Sequence, residues 1–300
     1  MRKIRVAIVG YGNIGKGVYE AITASPDMEL AGVILRDVKT AQVKGVPVEL
    51  KVAEKINDLG KVDVALLCIP SRSVEATAAK LLSQGIHTVD SYDIHGDIYD
   101  VGQRLSAIGK AHNAVSVMAA GWDPGTDSMV RAILEAAAPK GLTYTNFGPG
   151  MSMGHTVVAK SKAGVKNALS VTIPSGTGLH RRMVYIQPEV GANFAEITTA
   201  IKSDPYFSND DTHVVLAEDI DALQDKGHGV NMVRKGVSGT TDNQLFEFNM
   251  TINNPALTAQ IMVSAARAAT RQSGGCYTLL EVPIIDMLPG NREAIIRRLV

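Results

Sequence analysis

The first third of the chain alternates short apolar runs with segments whose apolar residues recur at helical spacing. Residues 4 to 9 read IRVAIV, and similar runs return at residues 29 to 36 and 62 to 69. A helical pattern follows the first run, from about residue 14 to residue 24. Apolar strands separated by helices are typical of a parallel sheet covered on both faces. The pattern therefore predicts an α/β fold of the doubly wound type.

The same alternation continues to about residue 121. It predicts a helix ending near residue 84, a strand at 86 to 89, a helix at 99 to 112 and a strand at 114 to 119. We therefore expect residues 1 to 121 to form one Rossmann domain.

Beyond this point, apolar and polar residues alternate one by one, which is typical of a sheet with one solvated face. Residues 122 to 254 are therefore predicted to form a second, α+β domain with a mixed or antiparallel sheet. An amphipathic helix follows Asn253-Asn254-Pro255, and we expect the tail, about 255 to 300, to pack back on the first domain. The strands predicted in the second domain are 142 to 147, 168 to 173, 182 to 187, 213 to 217 and 244 to 252.

Composition limits the possible partners. Thirty basic residues balance thirty acidic ones, so no broad positive field is available for nucleic acid or for an anionic membrane surface. No run approaches the ~18 apolar residues of a membrane helix. Cys68 and Cys276 lie far apart without metal-ligand spacing, so we expect no metal and a reducing compartment. The first residues lack the pattern of a secretory signal, and the expected location is cytoplasmic.

A glycine-rich motif follows the first predicted strand. Gly10-Tyr11-Gly12-Asn13-Ile14-Gly15 matches G-x-G-x-x-G, and it also opens a helix and starts a βαβ unit, as dinucleotide-binding turns do. The expected cofactor-binding residues here are Gly10, Gly12, Asn13, Ile14 and Gly15. Gly10 would permit the tight turn, Gly12 would leave room for the pyrophosphate, and Gly15 would let helix and strand pack closely. The alternative is a glycine-rich turn without a ligand.

The end of the second strand bears on the choice between NAD and NADP. An acidic residue there would bind the ribose 2′-hydroxyl of NAD, whereas an arginine pairs with the 2′-phosphate of NADP. Arg36 comes first, with Lys39 nearby, so NADP or NADPH is the expected cofactor. The adjacent Asp37 keeps NAD open as an alternative.

The strand at 62 to 69 is followed by further candidate cofactor contacts: Cys68, Pro70, Ser71 and Arg72. Open α/β sheets place ligands at such carboxyl ends. Ser71 is predicted to cap the next helix, and Arg72 to face phosphate or ribose. Cys68 is interpreted as a small buried hydrophobe rather than a catalytic thiol, because no basic partner is evident.

These patterns alone indicate an NADP-linked dehydrogenase or reductase. The stretches VDSYDIH (89 to 95), GWDPG (121 to 125), FGPGMSMGH (147 to 155) and NNP (253 to 255) go further, because together they closely resemble the meso-diaminopimelate dehydrogenase family over nearly the whole chain. The resemblance implies a homodimer that reversibly deaminates the D-centre of meso-2,6-diaminopimelate. The products would be L-2-amino-6-oxopimelate, ammonia and NADPH.

The resemblance also implies the site residues. Asp93 and Asp123 are similar to family carboxylates that hold the reacting amine, and either could accept its proton. The residues implied around this centre are Trp122, Phe147, Met153 and Gly154, and those implied at the distal L-centre are Thr172, Arg182, His228 and Asn254. Arg182 would bind a carboxylate as a bidentate fork, and Arg181 is the expected solvated neighbour. Asp93 as a turn residue or helix cap and Trp122 as a core residue are the structural alternatives.

Two departures from the family pattern predict relaxed specificity. Phe147 replaces a tryptophan that is frequent in relatives, and the segment 174 to 180 is shorter than in many of them. Amination of other 2-oxo acids to D-amino acids is therefore a hypothesis.

The alternative functions are another two-domain NADP-dependent reductase, such as dihydrodipicolinate reductase or a sugar-type dehydrogenase, and a cofactor-sensing binding protein. Residues 173 to 178 echo only the end of the dihydrodipicolinate reductase motif, and the Glu-Lys-Pro of sugar dehydrogenases does not occur. The polar set at the implied site counts against a protein without a substrate pocket.

Overall fold

A computed structural model describes residues 2–223 and 227–300. The chain forms two compact units, which we call unit 1 (Met1–Ala132 with Pro255–Val300) and unit 2 (Ile133–Asn254). No helix in the described ranges is both long and apolar enough to cross a bilayer.

The elements are as follows in chain order. The strands are β1 (Ile4–Val9), β2 (Met28–Ile34), β3 (Val52–Ala53), β4 (Val64–Leu67), β5 (His87–Asp90), β6 (Val115–Val117), β7 (Lys140–Phe147), β8 (Gly150–Met151), β9 (Val165–Gly176), β10 (Leu179–Pro188), β11 (Asp211–Leu216), β12 (Gly227–Ser238), β13 (Thr241–Asn253) and β14 (Gly275–Tyr277). The helices are α1 (Asn13–Thr23), α2 (Val74–Leu82), α3 (Ile98–His112), α4 (Thr126–Ala137), α5 (Met153–Lys160), α6 (Phe194–Lys202), α7 (Asn254–Ala269), α8 (Ile284–Met287) and α9 (Arg292–Leu299).

The sheet of unit 1 is parallel throughout. Its seven strands, counted within the described residues, lie in the order β14-β6-β5-β4-β1-β2-β3. The strand order reverses between β1 and β4, and ligands of such sheets bind outside the carboxyl ends of the strands at this point. The predicted doubly wound α/β fold is confirmed.

Helices cover both faces of this sheet. On one face, Val18 of α1 and Met262 of α7 pack against strand residues such as Val6. On the other face, Leu82 of α2 and Leu105 of α3 pack in a second apolar cluster. Because both faces of the sheet are buried, side chains on both sides of each strand must be apolar, and this explains the apolar runs in the sequence.

Helix α7 differs from the amphipathic helix that its sequence predicts, because its last residues are buried on all sides. Arg267 is only 3% exposed, yet it sits among buried alanines. Its guanidinium donates to both carboxylate oxygens of Asp27, at 2.6 and 2.8 Å, and to the hydroxyl of Ser25 at 2.9 Å. These hydrogen bonds join the carboxyl-terminal part of unit 1 to the turn before β2.

Unit 2 contains two sheets among its described residues. One has the order β11-β10-β9-β8, and in it β10 and β11 are parallel while the other neighbours are antiparallel. The other, β13-β12-β7, is antiparallel. Helices α5 and α6 contribute Ala159 and Ile201 to an apolar cluster with Ile186 of β10. The prediction of mixed and antiparallel strands is confirmed.

Candidate active site

The glycine-rich turn joins β1 to α1. Gly10 has a φ of +90°, and a Cβ there would lie 2.4 Å from the carbonyl oxygen of Cys68. A Cβ on Gly15 would lie 2.4 Å from the carbonyl oxygen of Gly10. At Gly12, by contrast, no described residue other than its two chain neighbours has an atom within 4 Å of the Cβ position. Gly10 and Gly15 are therefore needed for the packing of the turn itself, whereas the space beside Gly12 is open to a ligand.

The amino terminus of α1, where Asn13 and Ile14 lie, is suited to an anion. Gly12 provides no side-chain cap, and no acidic residue lies in the first turn. The N–H groups and the positive end of the helix dipole therefore remain available to a pyrophosphate.

Arg36 and Asp37, two neighbouring charged residues after β2, have different roles. One carboxylate oxygen of Asp37 accepts a hydrogen bond from the backbone N–H of Lys39 at 2.9 Å, so Asp37 caps a short helical turn. The side chain of Arg36 is exposed at the end of the strand. Asp37 thus has a local structural role, and Arg36 can meet a phosphate.

The segment after β4 lies against the glycine-rich turn. Burial raises the pKa of the Cys68 thiol far above its usual value, so the thiol stays protonated. The residue as a whole is partly buried, and its interpretation as a small hydrophobe remains a prediction. Pro70 and Arg72 are exposed beyond it, close in sequence to the switch point of the sheet.

The prediction that Ser71 caps the next helix is wrong. Helix α2 begins at Val74, and its N-cap residue Ser73 makes no capping side-chain hydrogen bond. Ser71 instead donates its hydroxyl proton to Oδ1 of Asp93 at 2.6 Å and accepts from the N–H of Asp93 at 3.2 Å. This pair joins the loops that follow the adjacent strands β4 and β5, and it fixes the carboxylate of Asp93.

A second, buried carboxyl group organises the same region. Oδ1 of Asp90 accepts hydrogen bonds from the backbone N–H groups of Tyr92 (3.0 Å) and Ala119 (3.1 Å). Burial raises the pKa of Asp90 to about 6, and the two N–H groups act against this effect. Asp90 therefore holds together the loops that carry Asp93 and Asp123.

Asp123 lies in the loop between β6 and α4. Its Oδ1 accepts a hydrogen bond from Nη2 of Arg131 at 2.6 Å, and its Oδ2 lies 3.9 Å from Nε2 of His95. The preceding Trp122 is 5% exposed. Unit 1 thus presents two oriented carboxylates, Asp93 and Asp123, on loops that follow neighbouring strands.

Unit 2 contains a preformed cationic group. Arg182 of β10 and Thr172 of β9 are opposite each other in the sheet register. Nη1 of Arg182 donates to Oγ1 of Thr172, and Nε donates to a carboxylate oxygen of Asp210 at 2.6 Å. Arg181 points the other way, is half exposed and pairs with Asp211 at 2.8 Å. The prediction that Arg181 is the solvated neighbour is confirmed.

The amino terminus of α5 begins with Met153 and Gly154. Its N-cap Ser152 makes no capping bond, because its hydroxyl is 2.8 Å from Nδ1 of His155. Burial, and then the charge of Arg182, lowers the pKa of His155 to about 4. The imidazole is therefore neutral at neutral pH, and the N–H groups of the first turn can meet a carboxylate.

Phe147 is held by a histidine that the sequence analysis did not single out. The N–H of Phe147 donates to Nε2 of His180 at 2.8 Å, and the two ring centroids are 5.6 Å apart. Nε2 must accept this bond, and burial followed by the charge of Arg182 lowers the pKa of His180. A neutral His180 therefore fixes the position of Phe147.

The structure corrects the prediction that His228 lies in a glycine-flanked loop. It lies in β12 and is only 4% exposed. Its Nδ1 is 3.0 Å from the carbonyl oxygen of Gly229, which can only accept, so Nδ1 donates this hydrogen bond. Asn254 is the first residue of α7 and is partly buried.

Comparisons with known proteins agree with these features. Residues 4–90 match the family described as oxidoreductase family, NAD-binding Rossmann fold, and residues 121–181 match the diaminopimelic acid dehydrogenase C-terminal domain. The meso-diaminopimelate D-dehydrogenase of Bacteroides fragilis is 60% identical to the chain over 100% of both sequences. The chain belongs to the meso-diaminopimelate D-dehydrogenase family.

Solved structures support the family assignment. The diaminopimelate dehydrogenase of C. glutamicum in complex with DAP has a TM-score of 0.90 and 29% identity, and it covers 100% of both chains. An engineered D-amino acid dehydrogenase bound to NADP⁺ has a TM-score of 0.86 and 29% identity, with 99% of this chain covered. As a member of the meso-diaminopimelate D-dehydrogenase family, the chain is an oxidoreductase and not one of the alternative reductases.

Several polar residues near the predicted ones were missed by sequence reasoning. They are Asp127, Arg131, His180 and Asp210. The spacing of Asp123, Asp127 and Arg131 by four residues is a signal that could have placed the latter two on one side of a helix. No signal was available for Asp210, because its contact with Arg182 depends on how the segment before β11 lies against β10.

Proposed function

We propose that this chain catalyses the reversible, NADP-dependent oxidative deamination of the D-centre of meso-2,6-diaminopimelate. The products are L-2-amino-6-oxopimelate, ammonia and NADPH. The observation that carries the proposal is the full-length family match in a chain whose two oriented carboxylates follow neighbouring strands of a dinucleotide-type sheet.

In unit 1, Asp93 and Asp123 would hold the ammonium group of the reacting centre. Hydride can leave the substrate carbon only when the amine is neutral, so one of these carboxylates accepts the proton. Asp93 is oriented by Ser71, and Asp123 by Arg131. When bound, NADP⁺ supplies the hydride acceptor. Trp122 and Phe147 would exclude water from the reacting centre until hydride has left.

Water then attacks the imine carbon of the oxidised substrate and releases ammonia. His155 and Asp93 are the two candidates for activating this water. His155 would act as a neutral base, since the pKa of its imidazole is lowered to about 4.

In unit 2, Arg182 would hold the carboxylate of the L-centre, with Thr172, His228 and Asn254 completing the hydrogen bonds. Arg182 is preoriented by Asp210 and Thr172, which lowers the entropy lost on binding. Met153 and Gly154 would offer backbone N–H groups to a carboxylate.

NADP rather than NAD is proposed because Arg36 is exposed at the end of β2 while Asp37 is held by its own turn. The residues proposed to bind the rest of the dinucleotide are Gly10, Gly12, Asn13, Ile14, Gly15, Cys68, Pro70, Ser71 and Arg72. A cytoplasmic location is inferred because both cysteines are free thiols.

A homodimer is also part of the proposal. One face of the β13-β12-β7 sheet carries a row of asparagines, in which Asn146 donates to Asn231 (3.2 Å) and Asn231 to Asn249 (2.8 Å). Leu142 and Leu245, on the same face, are 64% and 59% exposed. Exposed apolar residues flanking a polar row favour a second copy as the occupant of this face.

The test uses the isomers of diaminopimelate. Purified protein is incubated with NADP⁺ and with the meso, LL or DD compound, and the absorbance of reduced nicotinamide is followed. We expect the meso isomer to react well and the others poorly. Equal reaction of the LL isomer would contradict the assignment of Arg182 to the L-centre.

Relaxed specificity is a second proposal, carried by Phe147 and the short hairpin between β9 and β10. We expect slow amination of pyruvate or phenylpyruvate with ammonia and NADPH. The absence of measurable turnover would remove this proposal and leave the main one intact.

A further inference from the structure

Asp127 is a buried carboxylic acid that the proposed chemistry has not used. It lies in the first turn of α4 with an exposed fraction of 0%. Neither of its carboxyl oxygens has a hydrogen-bond partner of normal geometry among the residues that the structure describes. Burial with little compensation from hydrogen bonds destabilises a carboxylate much more than the protonated acid. Asp127 is therefore expected to keep its proton at pH values where most carboxyl groups have lost theirs.

The backbone fixes Asp127 beside the loop that carries Asp123. The N–H of Asp127 donates to the carbonyl of Trp122 at 3.0 Å, and the next turn of α4 brings Arg131 to Asp123 at 2.6 Å. Two carboxyl groups thus share a neighbourhood with one guanidinium, which is hydrogen-bonded to Asp123. Asp123 is the carboxylate that pairs with the guanidinium, and Asp127 is the more deeply buried of the two.

The surroundings of Asp127 agree with this division. Burial, followed by the charge of Asp123, raises the pKa of Asp127 to about 7, while Arg131 and the indole N–H of Trp122 act in the opposite direction. These are the groups that act on Asp127 in the described part of the chain. His95 faces the other carboxylate oxygen of Asp123, at 3.9 Å.

We propose that Asp127 is a positioning residue that acts through Asp123, by adding a second negative charge near it when it ionises. This inference rests on the proposed function, in which Asp123 holds the amine of the reacting centre. The added charge favours an ammonium in front of Asp123. It also strengthens Asp123 as a proton acceptor, because neighbouring like charges raise each other's proton affinity. The kcat/KM for oxidative deamination is therefore expected to increase as pH rises through the ionisation of Asp127.

Asp127→Asn removes this ionisation with little change in shape. The test measures kcat/KM for meso-diaminopimelate at saturating NADP⁺, for wild type and variant, from about pH 6 to about pH 9. The ratio of wild type to variant cancels the titration of the substrate and of all other groups. We expect the ratio to stay within about threefold of one at low pH and to reach about tenfold at high pH. A role confined to packing would give a constant ratio, and that result would overturn the proposal.

The matched control is Asp100→Asn, which removes an exposed carboxyl group from α3 in the same unit. Its ratio to wild type is expected to stay near one at every pH. If Asp127→Asn does not fold, Asp127→Ser removes the same ionisation with a smaller side chain. The pH dependence of the ratio of wild-type to variant kcat/KM then tests the proposal in the same way.

Thermal unfolding without substrate gives a second readout. Because the pKa of Asp127 is higher in the folded than in the unfolded chain, wild type loses stability as pH rises from the usual carboxyl range to about 7. The Tm of Asp127→Asn minus that of wild type should therefore increase by about 5 °C between about pH 4.5 and about pH 8. A constant difference would show that Asp127 does not hold the proton. If wild type failed to oxidise diaminopimelate, the proposed function would fall, and the thermal data would still decide the state of Asp127.

Discussion

Asp210 and Asp211 are adjacent carboxylates whose roles are set by their partners. Asp210 pairs with Arg182, whose side chain is 13% exposed, whereas Asp211 pairs with the half-exposed Arg181. The resemblance to a known family pointed to Arg182, but not to the carboxylate that orients it. The motif that contains a residue can be recognised in the sequence. The identity of its hydrogen-bond partner, here 28 positions away, depends on the fold and cannot be recognised in this way.

We expect Asp210→Asn to raise the KM for meso-diaminopimelate about tenfold and to change kcat less than about threefold, because the hydrogen bond from Arg182 loses its charged acceptor. Steady-state kinetics checks this. Asp211→Asn is the matched control, since its partner is solvated, and it should leave both constants near wild type. A fall in kcat alone would argue that Asp210 does not act through substrate binding.

Arg36→Ala tests the choice of cofactor. We expect kcat/KM for NADP⁺ to fall by about 10- to 100-fold with little change for NAD⁺, because only NADP carries the 2′-phosphate. Lys110→Ala removes an exposed charge from α3 and serves as the control. An equal fall in kcat/KM with both cofactors would show that Arg36 does not recognise the 2′-phosphate.

At the scale of elements, β1, β2, β4, β5 and β6 were predicted because each lies in a largely apolar run, as β4 shows. Strands β3 and β14 were not predicted, because two and three residues are too few to show a pattern. Strand β12 was missed because it contains polar residues that are buried. Arg234 is only 4% exposed, and its Nε donates to the carbonyl of Ala138 at 2.9 Å, just beyond the end of α4. From the sequence alone, an arginine that donates hydrogen bonds to carbonyl groups at the end of a helix cannot be distinguished from a surface arginine. Helices α4, α5 and α6 were also not predicted.

The buried pair of Arg267 and Asp27 gives a stability prediction at this scale. Asp27→Ala should lower the free energy of unfolding by about 2 to 4 kcal/mol, because it leaves a buried guanidinium without its carboxylate. Glu293→Ala, which breaks an exposed pair with Arg297, should cost less than about 0.5 kcal/mol. The hydrogen bond from Arg267 lowers the pKa of Asp27, so its contribution is present above the usual carboxyl pKa and is lost as pH falls through the lowered one. Denaturant titrations at neutral and acid pH measure both effects.

At the scale of the whole molecule, the fold class followed from periodicity and the function from motifs spread over both units. The glycine-rich turn was predictable because its strand and helix flank it directly in sequence. Asp127 was not, since its character depends on burial and on the loop of Asp123. The asparagine row of unit 2 likewise depends on the register of three strands.

The proposed homodimer gives a prediction for the whole chain. With a chain mass of 31.9 kDa, light scattering should give about twice that value for wild type. Leu245→Arg places a charge on the exposed face of β13 and should shift the mass toward one chain, because an unpaired buried charge is costly at an interface. Lys51→Arg, on an exposed position of unit 1, is the control. A monomeric wild type would remove the dimer from the proposal.

The path of the chain through unit 1 has a consequence for synthesis. Strand β14 completes the parallel sheet beside β6, and α7 supplies one wall of its core, yet both come after residue 254. The sheet and core of unit 1, most of which is translated early, can therefore be completed only after α7 and β14 have been synthesised. Until then its nascent apolar surface stays uncovered, and an enzyme truncated before α7 should be a substrate for chaperones and proteases rather than a smaller nucleotide-binding protein.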